Sequence, residues 1–192
     1  MAEVVVVKEL NGVAPGTPTA LTAMTGRYCT MDAYNPGTTN PCKVPTANFN
    51  YSYVKQMFLA VSGTFNSIRD IYWYCDGTVA DDWGLDDDNG GGLFIGTRTS
   101  GDNGLAYASY TQATGTPGTT GTTISALYAF YNSGGTMSNA DSYTAATPLL
   151  IDSTVYTSAF DSKIWCSQLK IPSTASHGEL SSKSFSLSYQ VY

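Results

Sequence analysis

The 192-residue chain holds a single histidine, His177, only 3 glutamates and 6 lysines. Charged residues make up 12 % of it. With strong surface helix formers this scarce, a mostly helical domain is not expected. Nine Lys and Arg stand against 15 Asp and Glu, a formal charge of -6. That leaves no basic field to hold a phosphate backbone, so no direct nucleic-acid partner is expected. No apolar run approaches the roughly 20 residues of a membrane-spanning helix, so no membrane partner is expected either. Cys29, Cys42, Cys75 and Cys166 form no C-x-x-C pair, which removes the usual pattern of a structural zinc site. There is no G-x-S-x-G elbow and no G-K-[ST] phosphate loop. The lone His177 sits in a Ser/Gly-rich turn, where an imidazole is ordinarily just solvated. Acid, base and nucleophile candidates do not converge, and the expectation is a protein without catalytic residues or a cofactor.

What is present points to strands. The chain has 25 Thr, 20 Ser, 19 Gly and 14 Tyr, all turn or strand formers. Hydrophobic residues reach 42 %, enough for a packed core. Val4 to Leu10 reads as a first strand rather than a secretory leader, since Glu3 stands where a positive flank belongs. That reading implies synthesis in the cytosol, or else a mature or recombinant form. Asn11 to Thr19 reads as a loop and Arg27 to Met31 as a short strand. Tyr53 to Ser62 alternates, with Lys55, Met57, Leu59 and Val61 on one face and Val54, Gln56, Phe58 and Ala60 on the other. Both faces are largely apolar, as in a strand central to a sandwich.

Ser67 to Cys75 alternates too, setting Ile68, Asp70, Tyr72 and Tyr74 against Arg69, Ile71, Trp73 and Cys75. Leu93 to Thr99, Ile124 to Tyr131, Lys163 to Ile171 and Lys183 to Tyr192 complete the set. In the last, Phe185, Leu187, Tyr189 and Val191 alternate with Ser184, Ser186, Ser188 and Gln190, which predicts one face on a core and one in water. Eight or nine strands with frequent turns predict an all-β domain, a β-sandwich or jelly-roll-like body spanning 1–192. The Gly/Thr-rich stretch 101–123 is too long for a plain hairpin and reads as a projecting arm.

Three groups of residues are candidates for function. Between Asp81 and Asn89, Asp81, Asp82, Asp86, Asp87 and Asp88 put five carboxylates in nine residues. Asp86, Asp88 and Asn89 are the candidate ligands for calcium, which takes six to eight oxygens, although no EF-hand register fits. A hydrated surface loop accounts for the same residues. Cys29 and Cys42 flank a Pro/Asn/Gly-rich loop and are either free thiols or a disulfide; Cys75 and Cys166, inside apolar runs, read as buried thiols. Trp73 and Trp165 fall in alternating runs and read as core. Tyr107 and Tyr110, beside the long loops, suit packing and interface or ligand contact equally well.

Phe49-Asn50-Tyr51-Ser52-Tyr53, Ile71-Tyr72-Trp73-Tyr74-Cys75-Asp76-Gly77 and the stretch from Gln112 to Gly121 resemble a pattern found in virion proteins of tailed phages. The ending, Thr174-Ala175-Ser176-His177-Gly178-Glu179 before a final alternating strand, is similar to it as well. The resemblance implies a structural protein of the virion, made in the host cytoplasm, and no functional residues. Physical reasoning suits that class: a stiff β body, open edges, and weak contacts multiplied by symmetry. Val4, Val6 and Tyr192, in the terminal strands, together with Tyr107 and Tyr110, are the candidate contacts to copies of the chain or to a major capsid protein. A capsid decoration protein is the first expectation. A carbohydrate-binding module of a host-attachment device and a tail or neck subunit are the alternatives.

Overall fold

The computed structural model describes residues 3–12, 16–21, 26–85, 90–97 and 137–192. The candidates Asp86, Asp88, Asn89, Tyr107 and Tyr110, the 101–123 arm and the strand expected over 124–131 lie outside the described residues. Those described are nearly all β. The strands are β1 (Val4–Asn11), β2 (Thr17–Ala20), β3 (Phe49–Tyr51), β4 (Lys55–Ser62), β5 (Ile68–Tyr74), β6 (Gly92–Thr97), β7 (Ser138–Asn139), β8 (Leu149–Asp152), β9 (Phe160–Asp161), β10 (Trp165–Pro172) and β11 (Ser186–Val191). One short helix, α1 (Val79–Asp82), and a 3-10 turn over Ala140–Ser142 stand beside them.

The strands form two antiparallel sheets. The larger runs β2-β1-β4-β10-β6-β7, with β3 on β10 and β9 on β4; the smaller runs β11-β5-β8. Their facing sides share one core. Val7, Leu59 and Val61 from β1 and β4, with Trp165 and Leu169 from β10, pack with Ile68, Ile71 and Trp73 of β5 and Ile151 of β8. Each fully buried Leu, Ile or Phe contributes about 1.5–3 kcal/mol. As its two apolar faces predict, β4 is central: Leu59 and Val61 face this core, while Phe58 packs with Leu10 and Ile164 on the far side.

Three expectations need correction. The first concerns β5, whose strict alternation fails at Asp70. This residue has φ of 54°, and the pairing of β5 shifts register beside it on both neighbours. The extra residue of a β-bulge flips the faces. Ile68, Ile71, Trp73 and Cys75 therefore all point inward. Second, Arg27 to Met31 is not a strand. It is irregular chain that buries Cys29 and offers its carbonyl to the Tyr53 N–H at 2.7 Å. Third, Thr17 to Thr19 belongs to β2 rather than a loop, because the edge of β1 supplies partners from Lys8 to Asn11. The short strands β3, β7, β8 and β9 also went unforeseen; two to four residues are too few to show a period.

The acidic segment begins on a helix, not in a loop. Asp141 accepts hydrogen bonds from the Val79 and Ala80 N–H groups at 2.8 and 3.1 Å, fixing the start of α1. Lys183 pairs with Asp82 and lies 3.0 Å from Asp76, so Asp82 is already engaged. The segment returns through Gly91, where a Cβ would stand 2.2 Å from the Leu85 carbonyl and 2.6 Å from Pro172. Only glycine permits that approach.

Candidate assembly interface and interior polar cluster

Each sheet has an edge that carries no strand among the described residues. On the large sheet, β2 pairs with β1 only from Lys8 onward, so the first half of β1 has no strand on its outer side among the described residues. The Val7 carbonyl already faces outward, accepting from the Leu21 N–H at 2.9 Å. By the two-residue period of a strand, the backbone groups of Val5 face outward too. On the small sheet, β11 pairs with β5 on one side, and its other side has no strand among the described residues. The Glu3 carboxylate acts on the Tyr189 side chain of β11, which sets the start of β1 near β11. Burial, reinforced by that carboxylate, holds the Tyr189 hydroxyl above its ordinary pKa.

Of the candidate contact residues, Val4 and Val6 lie in β1 and Tyr192 follows β11. Val4 is 56 % exposed and Tyr192 is 57 % exposed. Val191, expected on the core face, is also exposed. Tyr192 lies over the Arg69 guanidinium, 4.5 Å from ring centre to carbon, and donates to Gln190 Oε1 at 2.8 Å. Val6 lines an open groove of about 490 Å³ on the outer face, with Lys8, Ala60, Ser62, Phe160 and Asp161. An edge carrying a shallow groove with one basic and one acidic side chain can take a strand and seat one of its side chains.

A different constellation lies inside. Glu9 and Lys55 are buried against each other, 0 % and 4 % exposed, with Lys55 Nζ donating to Glu9 Oε1 at 2.7 Å and to the Ala33 carbonyl at 2.7 Å. Asn11 Nδ2 donates to the same Glu9 oxygen at 2.9 Å and to Asp32 Oδ1 at 2.9 Å. Glu9 Oε2 and Asn11 Oδ1 are buried with no hydrogen-bond partner among the described residues. Burial raises the Glu9 carboxyl above its ordinary value, against the opposing pull of Lys55. Tyr28 Oη and Ser167 Oγ meet beside it at 2.6 Å. Cys29 and Cys42 are free thiols, as are Cys75 and Cys166. Burial pushes the Cys42 thiol up to about 12, which makes it a poor nucleophile.

Sequence reasoning passed over this cluster, although a signal was there. Glu9 and Asn11 are in phase with Val5 and Val7, and Lys55 is in phase with Met57, Leu59 and Val61. A charge on the apolar face of a strand must find a partner. The expected core tryptophans, Trp73 and Trp165, are indeed buried, and His177 is exposed in its turn. Among the described residues no three His, Cys, Asp or Glu side chains gather to hold a metal ion. No protein-family model, no curated protein and no solved structure matches this chain.

Proposed function

We propose that this chain is a non-enzymatic structural subunit of a virus particle, a capsid decoration protein that binds copies of itself and the major capsid protein through its sheet edges. The observation that carries the reading is the pair of edges without a strand among the described residues, β1 from Val4 to Val6 and the outer side of β11, with exposed Val4, Val191 and Tyr192. Soluble domains ordinarily blunt such edges with charge, proline or cover. Here the β1 edge is a run of valines. Sedimentation velocity over a concentration series tests it, using the full chain and Val5→Pro. Proline removes an outward N–H that β4 does not use. The wild type should form one closed oligomer or co-sediment with capsid shells, and Val5→Pro should lose this. A wild type that stays monomeric and ignores shells contradicts the proposal.

One observation favours a second reading, a carbohydrate-binding module. Tyr72 and Tyr74 stand on the outer side of β5, opposite Ser188 and Ser186 of β11. Aromatic rings flanked by hydroxyls suit a sugar face. A glycan array separates the two: binding that Tyr72→Ala abolishes supports this reading, and silence removes it.

A further inference from the structure

Lys55, Glu9 and Asn11 form a set that the proposed assembly role does not use. Glu9 and Asn11 project from the core face of β1, and Lys55 projects from the same face of the neighbouring β4. The β1–β4 register ends with Glu9 opposite Met57, and Asn11 and Lys55 each lie two residues beyond that pair on their own strands. One carboxylate oxygen gathers both side chains: Lys55 Nζ at 2.7 Å and Asn11 Nδ2 at 2.9 Å. The amine and the carboxamide thus share one hydrogen-bond acceptor, with a proton carrier between them. The second oxygen of that carrier is buried and has no partner among the described residues.

We infer that this triad is the site of an intramolecular isopeptide bond, joining Lys55 Nζ to Asn11 Cγ with Glu9 as the acid–base group. Lys55 passes a proton to Glu9 and becomes an uncharged amine. Its nitrogen lone pair attacks Asn11 Cγ, forming the Nζ–Cγ bond. Glu9 hands the proton to Nδ2 and takes the second proton from Nζ, the Cγ–Nδ2 bond breaks, and the nitrogen leaves as ammonia, which carries that last proton away from Glu9 as ammonium. One amide replaces another, so neither oxidant nor reductant is needed. Three features of the site favour the step. The dry surroundings disfavour the charged pair and favour the neutral amine and acid. The two reacting groups are on adjacent strands of one sheet, so little entropy remains to be lost. Glu9 Oε2 is unengaged among the described residues and can take a proton without breaking a contact. The product covalently stitches the N-terminal strand to β4, the central strand of the body.

Asn11 is followed by Gly12, and an Asn-Gly pair can also lose ammonia by closing on its own backbone as a cyclic imide. The test must separate the two. Intact mass spectrometry of the purified, folded full chain should read one ammonia below the sequence mass. Trypsin should then release residues 9–27 joined to residues 44–69, uncut at Lys55. Glu9→Gln and Asn11→Ala should each restore the full mass, with circular dichroism confirming that they fold. A folded wild type at full sequence mass, with peptides 9–27 and 44–55 recovered separately, overturns the inference. So does a loss of ammonia that survives Lys55→Arg, since that is the imide. The wild-type measurement stands even if every variant fails to fold.

Discussion

Glu9 and Asp152 are buried to the same degree, 0 % and 1 % exposed, and their carboxyls shift in opposite directions. Asp152 receives the Thr154 N–H, the Lys163 N–H and the Tyr156 hydroxyl at 3.0, 2.9 and 2.9 Å, with Lys163 Nζ 3.5 Å away. Burial pushes its carboxyl up, but these donors outweigh burial and hold it below the ordinary value. Glu9 receives both of its donors on one oxygen, and burial wins. At similar exposure, the number of donors decides which of the two carboxyls is held below its ordinary value and which is pushed above it. Asp152 ties the end of β8 to the chain entering β10. Glu9 is a group with spare capacity.

The largest test of this contrast is Asp152→Ala. It removes the acceptor of two backbone N–H groups and of the Tyr156 hydroxyl and the carboxylate beside Lys163, and should cost about 3–5 kcal/mol in urea unfolding. Ser167→Ala, on the Glu9 side, leaves the inner Tyr28 hydroxyl without its partner and should cost about 1–3 kcal/mol. If Ser167→Ala costs more than Asp152→Ala, the ranking of the two networks is reversed.

The pH dependence separates the carboxylates further. Asp152 is lowered, so its contribution is complete above the ordinary value of 3.8 and is lost as pH falls through its folded pKa. Glu9 is raised, so its contribution is complete below the ordinary value of 4.5 and is lost as pH rises through its folded pKa. Urea midpoints measured against pH should show that Asp152→Asn flattens the limb below 3.8 and leaves the other. Glu9→Gln should flatten the decline above 4.5 and leave the acid limb. The smallest effect belongs to the surface. Asp76→Ala removes a solvated partner of Lys183, and its effect should fade as salt is raised from low to high ionic strength.

Much of this was legible in advance, for definite reasons. The long strands β1, β4, β10 and β11 showed themselves because eight or so residues suffice to display a period of two. The all-β class followed from composition. The bulge at Asp70 was not legible, since a positive φ at a non-glycine residue leaves no mark in the hydrophobic pattern. Short strands such as β9 form only because a neighbour offers an edge, and that is tertiary information. The Glu9–Lys55 pair was half legible: each residue sits in phase with apolar neighbours, but nothing in one strand names its partner in another. The terminal strands were read as contact surfaces from their valines and tyrosines. That the start of β1 lies near β11 depends on Glu3 acting on Tyr189, an interaction between residues far apart in the chain.

The claim that these two edges are the working surface is tested most directly by hydrogen exchange on dilute and assembled protein. Amides of Glu3–Val7 and of Ser186–Val191 should exchange more slowly in the assembled sample, while those of β2 keep their dilute rates. Slowing confined to other segments, or none at any concentration or with capsid shells present, would contradict the account.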